Sequence, residues 1–402
     1  MRRRLCALLI AGALMMPTGP AFADPVTLDN ALAKGREVSP RIARAQAELK
    51  VAEARALQAG LRPNPELGVE VENFSGTGPY RSFRQSEITV AVSQEFELGG
   101  ERRARKSVAA AEREFARLRL RKSDADLAYD IAAAFAELRA GEDRAVLARG
   151  NMARATELVR IADTLVEAGR DPPLRKLRAE ALRAEAEAES LKSFGQLLTA
   201  RRKLGLLIGS EDPELSAVGG DLPPAIPLPP EIGSLDERLS AAERDAASAR
   251  IALARAEAVP NITASGGFRR FRESGSNAFI AGLSVPLPVN NRNRSGIAAA
   301  RAETDAAEAA LAQSRLDASF TRQDAQTMLS AANERLAALS GPGLRQATEA
   351  QRLADIGYRA GKFSLLELID AQQALTSTRL NVIDAQLDRA RALAALARAN
   401  AQ

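Results

Sequence analysis

The chain has 402 residues, with 56 basic and 51 acidic side chains, no histidine, no tryptophan and one cysteine. Without histidine, and with its only thiol at Cys6, it lacks the usual general base, the commonest transition-metal ligand and every Ser-His or Cys-His pair. No glycine-rich phosphate loop or clustered Asp motif takes their place, so an enzyme is not expected and no cofactor or metal site is implied.

Residues 1–23 read as a secretory signal peptide. Arg2, Arg3 and Arg4 precede an apolar run from Leu5 to Met16, and Ala21-Phe22-Ala23 is a small-x-small cleavage site. The mature chain is expected to start near Asp24. It then carries 53 basic and 51 acidic side chains, a balance of +2 that gives no case for a nucleic-acid partner. Beyond the signal no stretch of about 20 apolar residues occurs, so no membrane-spanning helix is predicted. An exported chain of this kind is periplasmic, secreted, or a β-barrel in the outer membrane.

The remainder divides into two copies of one pattern, 24–208 and 234–402, separated by a Pro- and Gly-rich linker over 209–233. The first copy opens with helical LDNAL at 28–32 and breaks at Pro63-Asn64. A hairpin then spans 67–93. Leu67, Val69 and Val71 alternate with Gly68, Glu70 and Glu72; Ile88, Val90 and Val92 alternate with Thr89, Ala91 and Ser93. Residues 101–168 contain no proline, and as one helix they run to about 100 Å. Two apolar stripes lie along this helix. One includes Val108, Phe115, Leu118, Ala132 and Ala136, the other Leu120, Leu127, Ile131, Ala134 and Leu138. Two stripes mean two helical neighbours. A glycine turn at 168–174 leads into a further helix.

The second copy restarts with LDERL at 235–239, behind a capping-box spacing at Ser234. Pro260-Asn261 matches Pro63-Asn64, a hairpin follows over 262–285, and a second glycine turn lies at 360–366. The last helix carries Leu380, Ile383, Leu387, Ala390, Ala394 and Ala397 on one seam. Four strands cannot close a barrel, which needs about eight or more. They pair with strands of other copies, or with each other as a small soluble sheet; the alternation fits both.

The stretches RPNPELGVEVENF (62–74), VSQEFELGGERRAR (92–105) and VPNITASGGF (259–268), with this order of elements, resemble the TolC family of outer-membrane efflux proteins. EFELGG before a basic helix start is similar to its CzcC-like, heavy-metal branch. The resemblance covers essentially the whole mature chain. It implies a mainly α fold with a β-barrel: a long coiled-coil α-barrel, plus four strands per chain in a trimeric twelve-stranded transmembrane barrel. It also implies a homotrimer in contact with outer-membrane lipid, docked to a periplasmic adaptor (a membrane fusion protein) and an inner-membrane pump of the resistance-nodulation-division (RND) type. Many members carry a lipid-anchored Cys; no Cys follows the apolar run here, so lipidation is not expected.

The resemblance also carries over site residues. Glu367 and Asp370 match paired acidic positions at the periplasmic aperture, and Tyr358 matches a tyrosine that helps latch the helices. Arg175 stands where the family has Asp, and Pro172-Pro173 replace a helix-forming start, so the latch does not transfer intact; an Arg175–Glu367 salt bridge could serve instead, contributing only about 0–1 kcal/mol as an exposed pair. Gly169, Arg170, Gly361, Lys362 and Phe363 form the tips that meet the adaptor. The expected function is the exit duct of a heavy-metal efflux system. Two readings stay open beside it: the same fold exporting drugs or a secreted polypeptide, and a soluble periplasmic coiled-coil adaptor.

Overall fold

The computed structural model describes residues 25–219 and 233–401. The expected signal peptide and most of the linker lie outside them. In chain order the elements are α1 (Leu28–Val38), α2 (Pro40–Gln58), β1 (Glu66–Glu72), β2 (Glu87–Phe96), α3 (Glu101–Glu167) and α4 (Pro173–Ile208). The second copy holds α5 (Leu235–Ala256), β3 (Ile262–Phe271), β4 (Asn277–Ser284), α6 (Arg294–Ala338), α7 (Leu344–Arg359) and α8 (Leu365–Ala399). Among the described residues, no helix is long and apolar enough to cross a membrane.

Helix α3 runs unbroken for 67 residues, about 100 Å at 1.5 Å per residue. Its counterpart in the second copy is split. Between α6 and α7 a π-helical turn occupies Leu339–Gly343, with Pro342 inside it. Proline has no amide to donate and its ring crowds the preceding carbonyl, so a wider turn is the local solution.

The two stripes of α3 meet two sets of neighbours. Leu127, Ile131, Ala134 and Leu138 pack with Ala31 of α1, Ile42 of α2, and Leu197, Leu204 and Ile208 of α4. Ala136, Ala140 and Leu147 pack instead on Ile383 and Leu387 of α8. Nearer the sheet, Leu118 closes on Leu235 and Ala242 of α5. Alanine at many of these contacts lets the helix axes approach closely. Ion pairs bracket the seams, among them Arg36–Asp124 at 2.7 Å, Arg250–Glu112 at 2.9 Å and Arg398–Asp126 at 2.6 Å. Each is partly exposed and contributes only about 0–1 kcal/mol.

The strands form one antiparallel sheet in the order β1-β2-β3-β4, so the two hairpins are joined through β2 and β3. Only β1 and β4 keep an unpaired edge. Ahead of the undescribed linker residues, Val26 pairs in parallel with Ala217, Val26 N–H donating to Ser216 O at 2.9 Å.

Candidate functional site

The helical hairpins α3–α4 and α7–α8 turn at the end remote from the sheet, and both turns have the same backbone. Gly169 N–H donates to Val166 O and Arg170 N–H to Leu165 O, at 3.0 and 2.9 Å. Gly361 N–H donates to Tyr358 O and Lys362 N–H to Gly357 O, at 3.0 and 2.8 Å. This pairing caps a helix whose following residue is left-handed; Gly169 has φ +67° and Gly361 φ +68°. Arg170, Lys362 and Phe363 are exposed at these tips.

After the turns the two copies diverge. Helix α4 starts at Pro173 with no side-chain cap, because proline at the first helical position forfeits only an amide that has no partner there. Helix α8 starts with a full capping box. The Ser364 amide and hydroxyl donate to Glu367 Oε2 at 2.6 and 2.9 Å, and Glu367 N–H donates to Ser364 Oγ at 3.3 Å. The hydrogen bonds from the Ser364 amide and hydroxyl hold the exposed Glu367 carboxyl below its usual range.

The Arg175–Glu367 pair that could have served as a latch is not formed. Arg175 binds the Asp171 carboxylate, one helical turn before it. The reason is local: Asp171 and Arg175 are four apart across the start of α4, while Glu367 is already engaged by its own cap. Sequence reasoning missed Asp171. The signal available was an acid four residues before an arginine at a helix start. The Asp171 side chain is only 9% exposed, and its Oδ2 has no hydrogen-bond partner.

Tyr358 lies over the cluster of Leu158, Ala354, Leu365, Leu368 and Ile369 that ties α3, α7 and α8 together beneath the tips. Its hydroxyl is buried without a partner. Burial pushes the phenol above its ordinary pKa; the Asp171 carboxylate pushes the same way and the Arg175 guanidinium opposes both. Tyr358 therefore forms one electrostatically coupled unit with Asp171 and Arg175 of the other hairpin, with no hydrogen bond from the phenol to either. Glu367 and Asp370 are both exposed, on the face of α8 opposite buried Leu365, Leu368 and Ile369. Among the described residues no group of three or more His, Cys, Asp or Glu is placed to hold a metal ion.

At the other end, the register sorts the sheet into two faces. Cross-strand rows Val71-Ile88-Arg270-Asn277, Val69-Val90-Phe268-Phe279 and Leu67-Val92-Gly266-Ala281 make one face, mostly apolar. Leu67, Val69, Val92, Phe268, Leu283 and Phe279 are exposed on it, Phe279 to 96%. The opposite face carries Glu66, Glu70, Glu72, Glu87, Thr89 and Ser93. There Arg269 joins β1 to β2 through Glu72 at 2.7 Å and Glu87 at 3.0 Å. An apolar face turned outward and a polar face turned to a lumen is the pattern of an outer-membrane barrel wall.

Comparison with known proteins agrees with this geometry. The profile of the outer membrane efflux protein family matches residues 31–210 and 235–402. The chain is 30% identical over 381 residues to the cobalt-zinc-cadmium resistance protein CzcC of Cupriavidus metallidurans, covering 92% of this chain and 89% of that one. It is 34% identical over 318 residues to the nickel and cobalt resistance protein CnrC of the same organism, covering 78% and 75%. A crystal structure of the channel CusC superposes with TM-score 0.79 at 18% identity, over 92% of this chain and 91% of that one. The duplicated helix–hairpin–helix order, the paired glycine turns and these matches together show that the chain belongs to the outer membrane efflux protein family.

Proposed function

We propose that this channel, which sits in the outer membrane and extends into the periplasm, is a homotrimeric exit duct for heavy-metal cations. It is a transporter and not an enzyme. Channels of this family work with a periplasmic adaptor and an inner-membrane pump. The observation that carries the reading is the open sheet. Four strands with two free edges and an exposed apolar face are fused to a helical bundle whose longest member, α3, is about 100 Å long. The apolar face needs lipid, and the edges at β1 and β4 need strands of other copies. Three copies supply twelve strands, enough for a barrel with a watery bore.

The cargo follows from relatives that carry resistance to cobalt, zinc, cadmium and nickel. The tips formed by Gly169, Arg170, Gly361, Lys362 and Phe363 would meet the adaptor. Glu367 and Asp370 would ring the periplasmic aperture, six carboxylates around one axis in a trimer, attracting cations and resisting tight closure. The apolar cluster of Leu158, Ala354, Leu365, Leu368 and Ile369 under Tyr358 would hold the two helical hairpins of each chain together below that ring.

The test is resistance. A strain lacking the gene is challenged with cobalt, zinc, cadmium and nickel salts and with a panel of organic antibiotics. The expected result is sensitisation to the metals alone. Sensitisation to the antibiotics alone would move the cargo to organic molecules and leave the fold reading intact.

A further inference from the structure

The connections 73–86 and 272–276 lie at the end of the sheet away from the helices. They hold Arg81, Arg84 and Arg272, and Arg270 stands on the last rung of β3 beside them. All four arginines are exposed. Among the described residues, none of their side chains has a hydrogen bond or ion pair. Arg269 is the contrast: one residue away, on the other face, it is held by both Glu72 and Glu87.

The register makes Arg270 the informative position. It pairs with Ile88 and Asn277 and shares its face with Val71, Phe268 and Phe279. A cation on the apolar face of a strand is costly in mid-membrane, and much less so at the boundary, where its stem covers apolar surface and its head reaches polar groups. From Ile88 to Phe96 the apolar face extends about 26 Å along the strand, so Arg270 lies at its outer edge. The same end carries exposed Phe74, Tyr80 and Phe83, with the Phe74 and Phe83 rings 6.1 Å apart. Aromatic rings collect at the membrane–water boundary. Within the two connections the only carboxylate is Glu273.

We infer that this rim binds the phosphate groups of an anionic lipid in the outer leaflet, a phosphorylated glycolipid rather than a zwitterionic one. Planar guanidinium forks match phosphate oxygens in pairs, and the aromatic rings seat the acyl–headgroup boundary beneath them. A merely solvated loop explains neither the arginine on the apolar face nor the shortage of acids around it. The inference rests on the barrel reading, which places the connections outside the cell and the apolar face in lipid.

The experiment uses the full-length protein, purified in detergent and offered diphosphorylated lipid A, lipid A stripped of both phosphates, or inorganic phosphate. Bound lipid per assembly is counted by native mass spectrometry. Wild type retains the diphosphorylated lipid and not the stripped one. The variant with Arg81→Gln, Arg84→Gln, Arg270→Gln and Arg272→Gln assembles normally and loses retention by about fivefold per arginine removed. A control with Arg103→Gln, Arg113→Gln, Arg202→Gln and Arg345→Gln, exposed arginines on the helices, keeps wild-type retention. Equal retention of stripped lipid, equal loss in the control, or displacement of the lipid by millimolar inorganic phosphate would overturn the assignment. A spin label at Val69 in neutral vesicles reads the premise separately: water exposure there takes down the barrel reading itself.

Discussion

At the scale of single residues, the tip turns and the Tyr358 unit make separable predictions. An added Cβ at Gly361 meets nothing within 4 Å, so the penalty for Gly361→Ala is conformational alone, about 1 kcal/mol for a left-handed residue. Faster amide exchange at Lys362 and Phe363, which both donate to Gly357 O, is the expected readout. For Tyr358, removing the Asp171 charge favours the phenolate, so Asp171→Asn lowers its pKa; removing the Arg175 charge in Arg175→Gln raises it. With three tyrosines and no tryptophan in the chain, ultraviolet titration against a Tyr358→Phe reference reads this directly. The raised phenol pKa means its contribution to stability is full below the ordinary phenol value of about 10 and is lost as pH rises through the folded pKa. No shift in either variant would place Asp171 and Arg175 outside the environment of the phenol.

At the scale of elements, α3 is organised by its two stripes and the sheet by its two faces. Leu138 is fully buried between α3 and α4, so Leu138→Ala leaves a cavity and costs about 2–5 kcal/mol, measured as a lowered melting temperature. In the strands, spin labels on Val69 or Val90 are expected to report lipid, and labels on Glu70 or Thr89 to report water. Their cross-strand partners agree on the assignment, since Val69 faces Val90 and Glu70 faces Thr89. Equal water accessibility on both faces would mean a soluble sheet.

For the whole molecule, the expected species is three chains, read by native mass measurement of the purified protein. A monomer would leave the β1 and β4 edges bare and overturn the assembly. In planar bilayers, a trivalent cation added at the periplasmic side is expected to reduce conductance by binding at Glu367 and Asp370. The double variant Glu367→Ala, Asp370→Ala loses that block and still assembles, because neither residue belongs to a strand or a buried seam. An unchanged block would place the constriction elsewhere. A shortened start of α8 is expected as well, since Glu367 is half of the capping box.

Much of this protein is determined by local pattern. Period-two alternation located all four strands, and the proline-free run from 101 located α3, because both depend on backbone periodicity and on residues that break it. The apolar spacing of Leu127, Ile131, Ala134 and Leu138 also marked a packed face before any partner was known. Spacing carries no information on which elements meet. Tertiary structure alone joined the two hairpins through β2 and β3. Local chemistry, legible as an acid four residues before Arg175 and a serine three residues before Glu367, gave Arg175 to Asp171 rather than to Glu367. Local chemistry also put a π-helical turn at Pro342, which has no amide to donate, where the first copy runs straight through. Alternation alone puts Arg270 on the strand face of Phe268; the register with Ile88 and Asn277 shows that this face continues across the sheet and that Arg270 stands on its outermost rungs.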